Sequence, residues 1–268
     1  MDTFTALITE ICAENHIDCE ILSYGWIYKL SYKNTARYII GRHFELNSSA
    51  SDRIACDKYA CSTILINKGI PCIRHELFFD PLRRSNWIGK NGEIDRAARF
   101  FYEYSEKVVA KPNNGWQGRN VFFCESMKDI EYAFGAIFAH EPTACLSPFY
   151  QITNEYRVFY LSGECLYSYG KKKGGASWKH NLSAGAVAFD IEDDSLLKKL
   201  YSLAADGAKC INISFAAIDI AQLPDGALKI MEINSGVVAS KLLEQHPDKY
   251  GLVKKIYTKA VHAMFSTV

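Results

Sequence analysis

Phe4, Leu7, Ile8 and Ile11 recur at the spacing of one helix face, so an amphipathic helix is expected over residues 3–16. Strand-like runs follow at Cys19-Glu-Ile-Leu, Trp26-Ile-Tyr-Lys-Leu and Arg37-Tyr-Ile-Ile, with Lys33-Asn34 as a turn. Together they predict an α+β element over residues 1–50 that looks too small to stand alone. From Ser51 the pattern turns helical through Asp57-Lys58 to Asn67 and stops at Gly69-Ile-Pro71. A charged stretch from Arg83 to Asp95 leads to a helix ending near Ser105, and the β-rich run from Lys107 to Lys111 comes next. Strands and helices alternate without a regular βαβ period, which favours α+β subdomains over a doubly wound sheet.

The most informative pattern lies further along. Phe215-Ala-Ala-Ile-Asp-Ile-Ala-Gln-Leu-Pro reads as a strand, Asp225-Gly226 as a two-residue turn, and Ala227-Leu-Lys-Ile-Met-Glu-Ile-Asn as the returning strand. Across such a turn, partners have numbers that sum to 451, as Asp219 and Glu232 do. The two carboxylates should therefore face each other, and like charges placed opposite on a sheet repel. Alternation puts Glu232 and Asn234 on one face and Met231 and Ile233 in the core. Three oxygen ligands, Asp219, Glu232 and Asn234, then converge as a hard cation such as Mg²⁺ requires. The competing readings are acids flared into solvent, or acids matched by a lysine such as Lys229; a one-residue slip would turn Asp219 to the other face.

Composition narrows the class. The chain has 268 residues, 49% of them hydrophobic, and a formal charge of +1, as an ordinary globular protein does. That charge argues against a dominant electrostatic role in nucleic-acid binding. Nine cysteines without a Cys-x-x-Cys pair suit a reducing cytoplasm better than a disulfide framework. The start, Met1-Asp-Thr-Phe, has no basic segment followed by an apolar run, and no stretch is apolar enough for a membrane span, so a cytoplasmic protein is expected. His16, His43, His75, His140 and His246 show no metal-ligand spacing and are expected to be structural or surface residues.

Lys111-Pro-Asn-Asn-Gly115-Trp-Gln-Gly118-Arg-Asn-Val121 joins two strand-like runs. Glycines let a backbone approach an anion, and a lysine at the strand end adds a positive charge, so the loop reads as a phosphate cradle over a hairpin or as an ordinary hairpin tip. It is no Walker loop, because Gly-Lys-Ser/Thr is absent.

In combination these motifs resemble the ATP-grasp superfamily, and within it the RimK-like and cyanophycin-synthetase-like carboxylate-amine ligases. They run in the family's order: Ala55-Cys-Asp-Lys58 with Gly69-Ile-Pro71, Val108-Val-Ala-Lys111-Pro with Gly118-Arg-Asn-Val121, Glu155-Tyr-Arg157, Trp178-Lys-His-Asn181, and Asp219 with Glu232-x-Asn234. The resemblance implies an α+β ATP-grasp fold divided as a short N-terminal subdomain (1–50), a subdomain with the glycine-rich flap (51–145) and a subdomain with hinge and metal site (146–268). It implies that Lys58 and Lys111 hold the α- and β-phosphates of ATP. Gly115, Gln117 and Gly118 would lie in the flap, and Pro148, Phe149 and Tyr150 in the hinge at adenine. Pro148 has no N–H, so a backbone donor to the ring must come from Phe149 or Tyr150. Glu155 would hold the ribose, and Asp219, Glu232 and Asn234 would ligate Mg²⁺, or Mn²⁺ in its place. Arg157, Lys171 and Asn181 would serve the transferred phosphoryl group and an acyl phosphate.

The implied activity is ATP-dependent ligation of a small-molecule carboxylate to an amine, amino acids or a peptide among them; a small-molecule kinase and a nucleotide-binding regulator are the alternatives on the same fold. Neither nucleic acid nor membrane is an expected partner, and analogy leaves room for a homodimer. Departures from the family pattern fall near the second substrate: Ala184 stands at a basic position, Lys179 replaces an arginine, and Ala217 occupies the arginine position of D-alanine–D-alanine ligases. Asn120 replaces a flap glycine, as a residue that tolerates left-handed backbone angles.

Overall fold

A computed structural model describes residues 2–83, 86, 92–115, 118–174, 182 and 185–266. The first helix, α1 (Thr3–Glu14), starts where Thr5 N donates to the Asp2 carboxylate at 2.9 Å. Strands β1 (Asp18–Leu22), β2 (Ile27–Tyr32), β3 (Thr35–Ile40) and β4 (His43–Phe44) form an antiparallel meander in sequence order, turning at Lys33-Asn34 as the pattern predicts.

The helical pattern from Ser51 to Asn67 is two helices instead of one: α2 (Ser49–Cys56) and α3 (Lys58–Asn67). Asp57 breaks them with extended angles (φ −103°, ψ 104°) and caps α3 by accepting from Ala60 N at 2.8 Å. That break makes Lys58 the first residue of α3. Beyond Gly69 the chain runs beside a strand of the last sheet, with Ile73 N donating to Ile230 O at 2.8 Å, before entering the middle sheet.

The middle sheet contains β5 (Glu76–Phe79), β6 (Val108–Pro112), β7 (Phe122–Cys124) and β8 (Thr143–Pro148) in the order β5-β8-β6-β7. Phe78, Val108, Ala110, Ala144 and Leu146 form a core with Phe100 and Phe101 of α4 (Gly92–Glu103) and Ile130 and Phe134 of α5 (Met127–Phe138). Alternation turns Leu77, Val109, Lys111, Cys145 and Ser147 to the opposite face. The division expected at 145/146 falls inside β8, which pairs with β5 and β6 through Pro148.

The last sheet has the order β11-β10-β9-β12-β13, built from β9 (Asn154–Leu161), β10 (Glu164–Lys172), β11 (Val187–Phe189), β12 (Phe215–Gln222) and β13 (Leu228–Asn234). One face, with Tyr156, Val158, Ile218, Ile220, Ile230 and Ile233, packs on α3 and α6 (Asp194–Cys210). The other face changes character along its length. Phe159, Leu161, Phe215 and Ala217 are apolar and share a core with α1, β2–β4 and α8 (Tyr250–Ser266). Beyond them the same face carries Arg157, Glu155 and Asp219. The N-terminal element therefore has no core of its own; it caps the apolar end of a sheet whose charged end is the site. Among the described residues, no helix is long and apolar enough to cross a membrane.

Phe44 fastens this junction, with ring centroids 5.0 Å from Phe215, 5.8 Å from Tyr257 and 6.1 Å from Phe4. Phe44→Ala is expected to cost about 3–5 kcal/mol in chemical denaturation. Hydrogen exchange should show residues 1–50 and the last sheet losing protection together; opening of residues 1–50 alone would contradict the shared core.

Candidate active site

The hairpin does bring Asp219 opposite Glu232, but by a different route from the one expected. Leu223 N bonds Ala227 O at 2.9 Å, and the loop Pro224-Asp225-Gly226 has three residues, with Gly226 at φ +83°. The first pairs, Gln222 with Leu228 and Ile220 with Ile230, are therefore one residue out of the expected register. A bulge at Met231 then restores it. The apolar pattern requires this bulge: Ile230 and Ile233, each 1% exposed, must both reach the core from a spacing of three. Met231 itself is only half-buried, a correction to its expected core place.

Asp219 is 2% exposed, and the charge opposing it is already compensated inside the protein. Arg157, its neighbour on β9, grips both carboxylate oxygens, Nε at 2.9 Å and Nη2 at 2.6 Å. Lys171 Nζ donates to Asp219 Oδ1 at 2.9 Å and also to Glu155. Burial works to raise the Asp219 pKa; the Arg157 and Lys171 charges overcome it and hold the carboxyl well below the usual carboxylate range. Glu155 is buried rather than a surface acid, and burial, partly offset by Lys171, pushes it up to about 7. Lys229 plays no part: its ammonium lies 5.7 Å over the Tyr150 ring.

The residues present also suit a hard cation. Asn234 Nδ2 reaches Asp219 Oδ2 at 3.2 Å and Glu232 Oε1 at 3.3 Å, so the three expected ligands form one cluster. Glu232 has no cationic partner among the described residues, and the donor set of two carboxylates and an amide oxygen is all oxygen.

On the opposing side, Lys58 Nζ donates to Gly115 O at 2.7 Å and to Asn113 O at 3.4 Å, while Tyr59 N donates to Asn113 Oδ1 at 3.0 Å. The helix break at Asp57 thus delivers Lys58 to the flap. Gly115 is required there, since an added Cβ would stand 2.9 Å from Pro112 Cβ. Gly118 and Asn120 both take left-handed angles, φ +68° and +52°. Lys111 extends from β6 beside Cys145 and makes no ion pair among the described residues. Burial lowers its pKa, and the nearby Lys58 charge adds to the effect. Glu232 and Lys58 line the same narrow crevice between α3 and β13. Gln117 and Asn181, like Trp116, Trp178, Lys179 and Ala184, lie outside the described residues.

Phe149, Tyr150, Gln151, Ile152 and Thr153 line a cleft of about 320 Å³ with Lys173 and Pro224, just beyond Pro148 at the end of β8. Phe149 N donates to Lys107 O at 2.9 Å, which leaves the Tyr150 N–H as the hinge donor for a base. Along β13 the order is then fixed: Pro224 and Lys229 by the cleft, Glu232 and Asn234 at the carboxylate cluster, and the Ser235-Gly236 loop beyond.

Two histidines expected to be structural or surface residues lie against this site. His43 Nδ1 is 3.1 Å from Asp52 Oδ1 and 3.3 Å from Ser235 Oγ, next to Asn234. His75 is 2% exposed, directly before β5. Neither stands in a motif, so only the fold reveals its place.

Asp219→Ala would leave Arg157 and Lys171 facing each other without their shared anion, and a loss of about 3–5 kcal/mol in urea denaturation is expected; a loss under about 1 kcal/mol would contradict the pairing. Glu155, raised from 4.5 to about 7, contributes stability that is full below pH 4.5 and fades as pH rises through 7. Wild type should therefore lose stability relative to Glu155→Gln over that interval in melts taken at each pH; a constant difference would contradict the shift.

No curated protein matches the chain by sequence. Among solved structures, D-alanine–D-alanine ligase from Bacillus anthracis complexed with ATP superposes with a TM-score of 0.62 at 16% identity, over 83% of this chain and 71% of that one. D-cycloserine synthetase DcsG gives 0.58 at 15% identity, over 79% and 71%. ATP-grasp ligase PsnB, in complex with minimal precursor, Mg and ADP, gives 0.57 at 15% identity, over 82% of this chain and 62% of that one. At such identities the likeness is one of fold, and it is the ATP-grasp fold expected from the motif order. Residues 93–250, more than half of the chain, match the sequence profile of an ATP-grasp domain, family 3 of its clade, and the chain belongs to that ATP-grasp family.

Proposed function

We propose that the protein is an ATP-dependent carboxylate-amine ligase that forms an amide or peptide bond through an acyl phosphate. The observation that carries this reading is the buried row Glu155, Lys171, Arg157 and Asp219, placed beside Glu232 and Asn234 and opposite Lys58 and Lys111. Lys58 and Lys111 hold the α- and β-phosphates, the cleft at Tyr150 takes adenine, and Glu155 is the acid nearest the ribose. Mg²⁺ held by Asp219, Glu232 and Asn234 would neutralise charge on the β- and γ-phosphate oxygens.

Joining a carboxylate to a polyanion needs cations that hold both in line. Arg157 and Lys171 are such cations, bound in this structure to Asp219 and able to exchange that anion for phosphate oxygens. A substrate carboxylate oxygen attacks the γ-phosphorus, and the bond to the β-phosphate oxygen breaks, releasing ADP. The amine then attacks the acyl carbon, the carbon–oxygen bond to phosphate breaks, and the amine loses its proton as phosphate leaves. Asn181 is assigned to the acyl phosphate on its motif position. A protein nucleophile is not required. Small carboxylates and amines, amino acids or a peptide among them, are the substrates proposed, in the cytoplasm.

ADP release should depend on Mg²⁺ and on a carboxylate, and hydroxylamine should trap the acyl phosphate as a hydroxamate. Release of ADP with an alcohol and no hydroxamate with any carboxylate would replace the ligase by a kinase; no release at all would favour a nucleotide-binding regulator. Glu232→Gln should cut Mg²⁺-dependent turnover about 10²–10³-fold, the scale for losing one preorganised charge at a transferring group. Its thermal stability should equal or slightly exceed that of wild type, since Glu232 has no cation to lose among the described residues; full activity would overturn the metal assignment.

A further inference from the structure

His75 is 2% exposed, and neither of its ring nitrogens has a hydrogen-bond partner among the described residues. Buried polar groups are almost always paired, because an unpaired one loses its hydration without return. A leucine would fill the same space at no such cost, so the imidazole does nothing for the fold that an apolar side chain would not do better.

Its surroundings suggest what it serves. His75 N is tied to Ser62 Oγ of α3 at 3.3 Å, which fixes the backbone beside the helix that Lys58 begins. Alternation places His75 on the face of the middle sheet shared by Leu77, Cys145 and Lys111, away from the core that holds Phe78. The charges that act on its ring are Lys111 and then Lys58.

A lysine that binds phosphate must be held in place without losing its charge. Backbone carbonyls do this for Lys58, through Gly115 O and Asn113 O. Lys111 has no such acceptor among the described residues. A carboxylate behind it would cancel the charge the phosphate needs. A neutral imidazole accepts a hydrogen bond and cancels nothing.

We propose that His75 is a positioning residue for Lys111: when a nucleoside triphosphate is bound, the imidazole accepts a hydrogen bond from the Lys111 ammonium and holds it on the phosphates. The proposal rests on the ATP reading of the site. Burial, with the two lysine charges, outweighs the opposing pull of the Ile73 backbone and lowers the His75 pKa well below its usual value, so the ring is neutral at physiological pH as this role requires.

The test is calorimetric titration of wild type, His75→Leu and His75→Gln with Mg²⁺ and a non-hydrolysable ATP analogue, alongside thermal melts of the nucleotide-free proteins. His75→Leu should bind about tenfold more weakly, the scale of one hydrogen bond to a charged group, while melting no lower than wild type. His75→Gln, whose Oε1 can accept from the ammonium, should recover most of that affinity. Equal affinity in the leucine variant overturns the proposal, as does a glutamine variant as weak as leucine. Should leucine not fold, His75→Met offers a more adaptable apolar chain; failure of both to fold assigns the imidazole to the fold and overturns the proposal. A wild-type protein that binds no nucleotide overturns the ATP reading of the whole site, a result distinct from these.

Discussion

Asp219 is a carboxylate in the middle of a sheet, shut away from water, and its burial dictates what surrounds it. An isolated charge in that position would be far too costly, so Arg157 and Lys171 must lie where they do, on the two neighbouring strands of the same face. Lys171 in turn draws Glu155 into the interior. The pairing β10-β9-β12 sets these side chains in adjacent rows, and the bulge at Met231 brings Glu232 and Asn234 alongside. The apolar end of the face, covered by the N-terminal element, keeps the sheet in place while its charged end stays open to the cleft.

This arrangement links stability to function through exchange of partners. Arg157 and Lys171 are held by an acid that would itself ligate a cation. When the cation takes Asp219, the two basic side chains are released with full charge beside the transferring phosphoryl group, and the charge balance of the interior is kept. The resting structure is thus stable without nucleotide, and its cations are already desolvated and placed. Lys58 and Lys111 complete the enclosure from the other side, one held by carbonyls that leave its charge intact and the other standing near a neutral imidazole.

The apolar periodicities of α1, of the N-terminal meander and of the β12–β13 hairpin were legible because each has one buried face. The facing of Asp219 and Glu232 was legible too, though through two departures that offset each other: a turn one residue longer than Asp225-Gly226 suggests, and a bulge. Turn chemistry alone could not distinguish these, because only the joint burial of Ile230 and Ile233 demands the extra residue. Asp57 was read through as helix interior, since its capping role depends on a chain reversal that no periodicity records. The compensation of Asp219 came from β9 and β10, some fifty to sixty positions away, and a strand's neighbours across a sheet are not written in its own sequence. The hinge donor narrowed to Tyr150 for the same reason, as Phe149 is engaged by Lys107 from another strand. His75 left no local signal at all; it is distinguished only by what does not bond to it.

The central claim is that Asp219 trades Arg157 for a metal ion when nucleotide binds. The most direct measurement is a crystal structure with Mg²⁺ and a non-hydrolysable ATP analogue. The account predicts the ion on Asp219, Glu232 and Asn234 Oδ1, with Arg157 turned from Asp219 onto the γ-phosphate. An Arg157–Asp219 pair left intact, with the ion bound elsewhere, would contradict it.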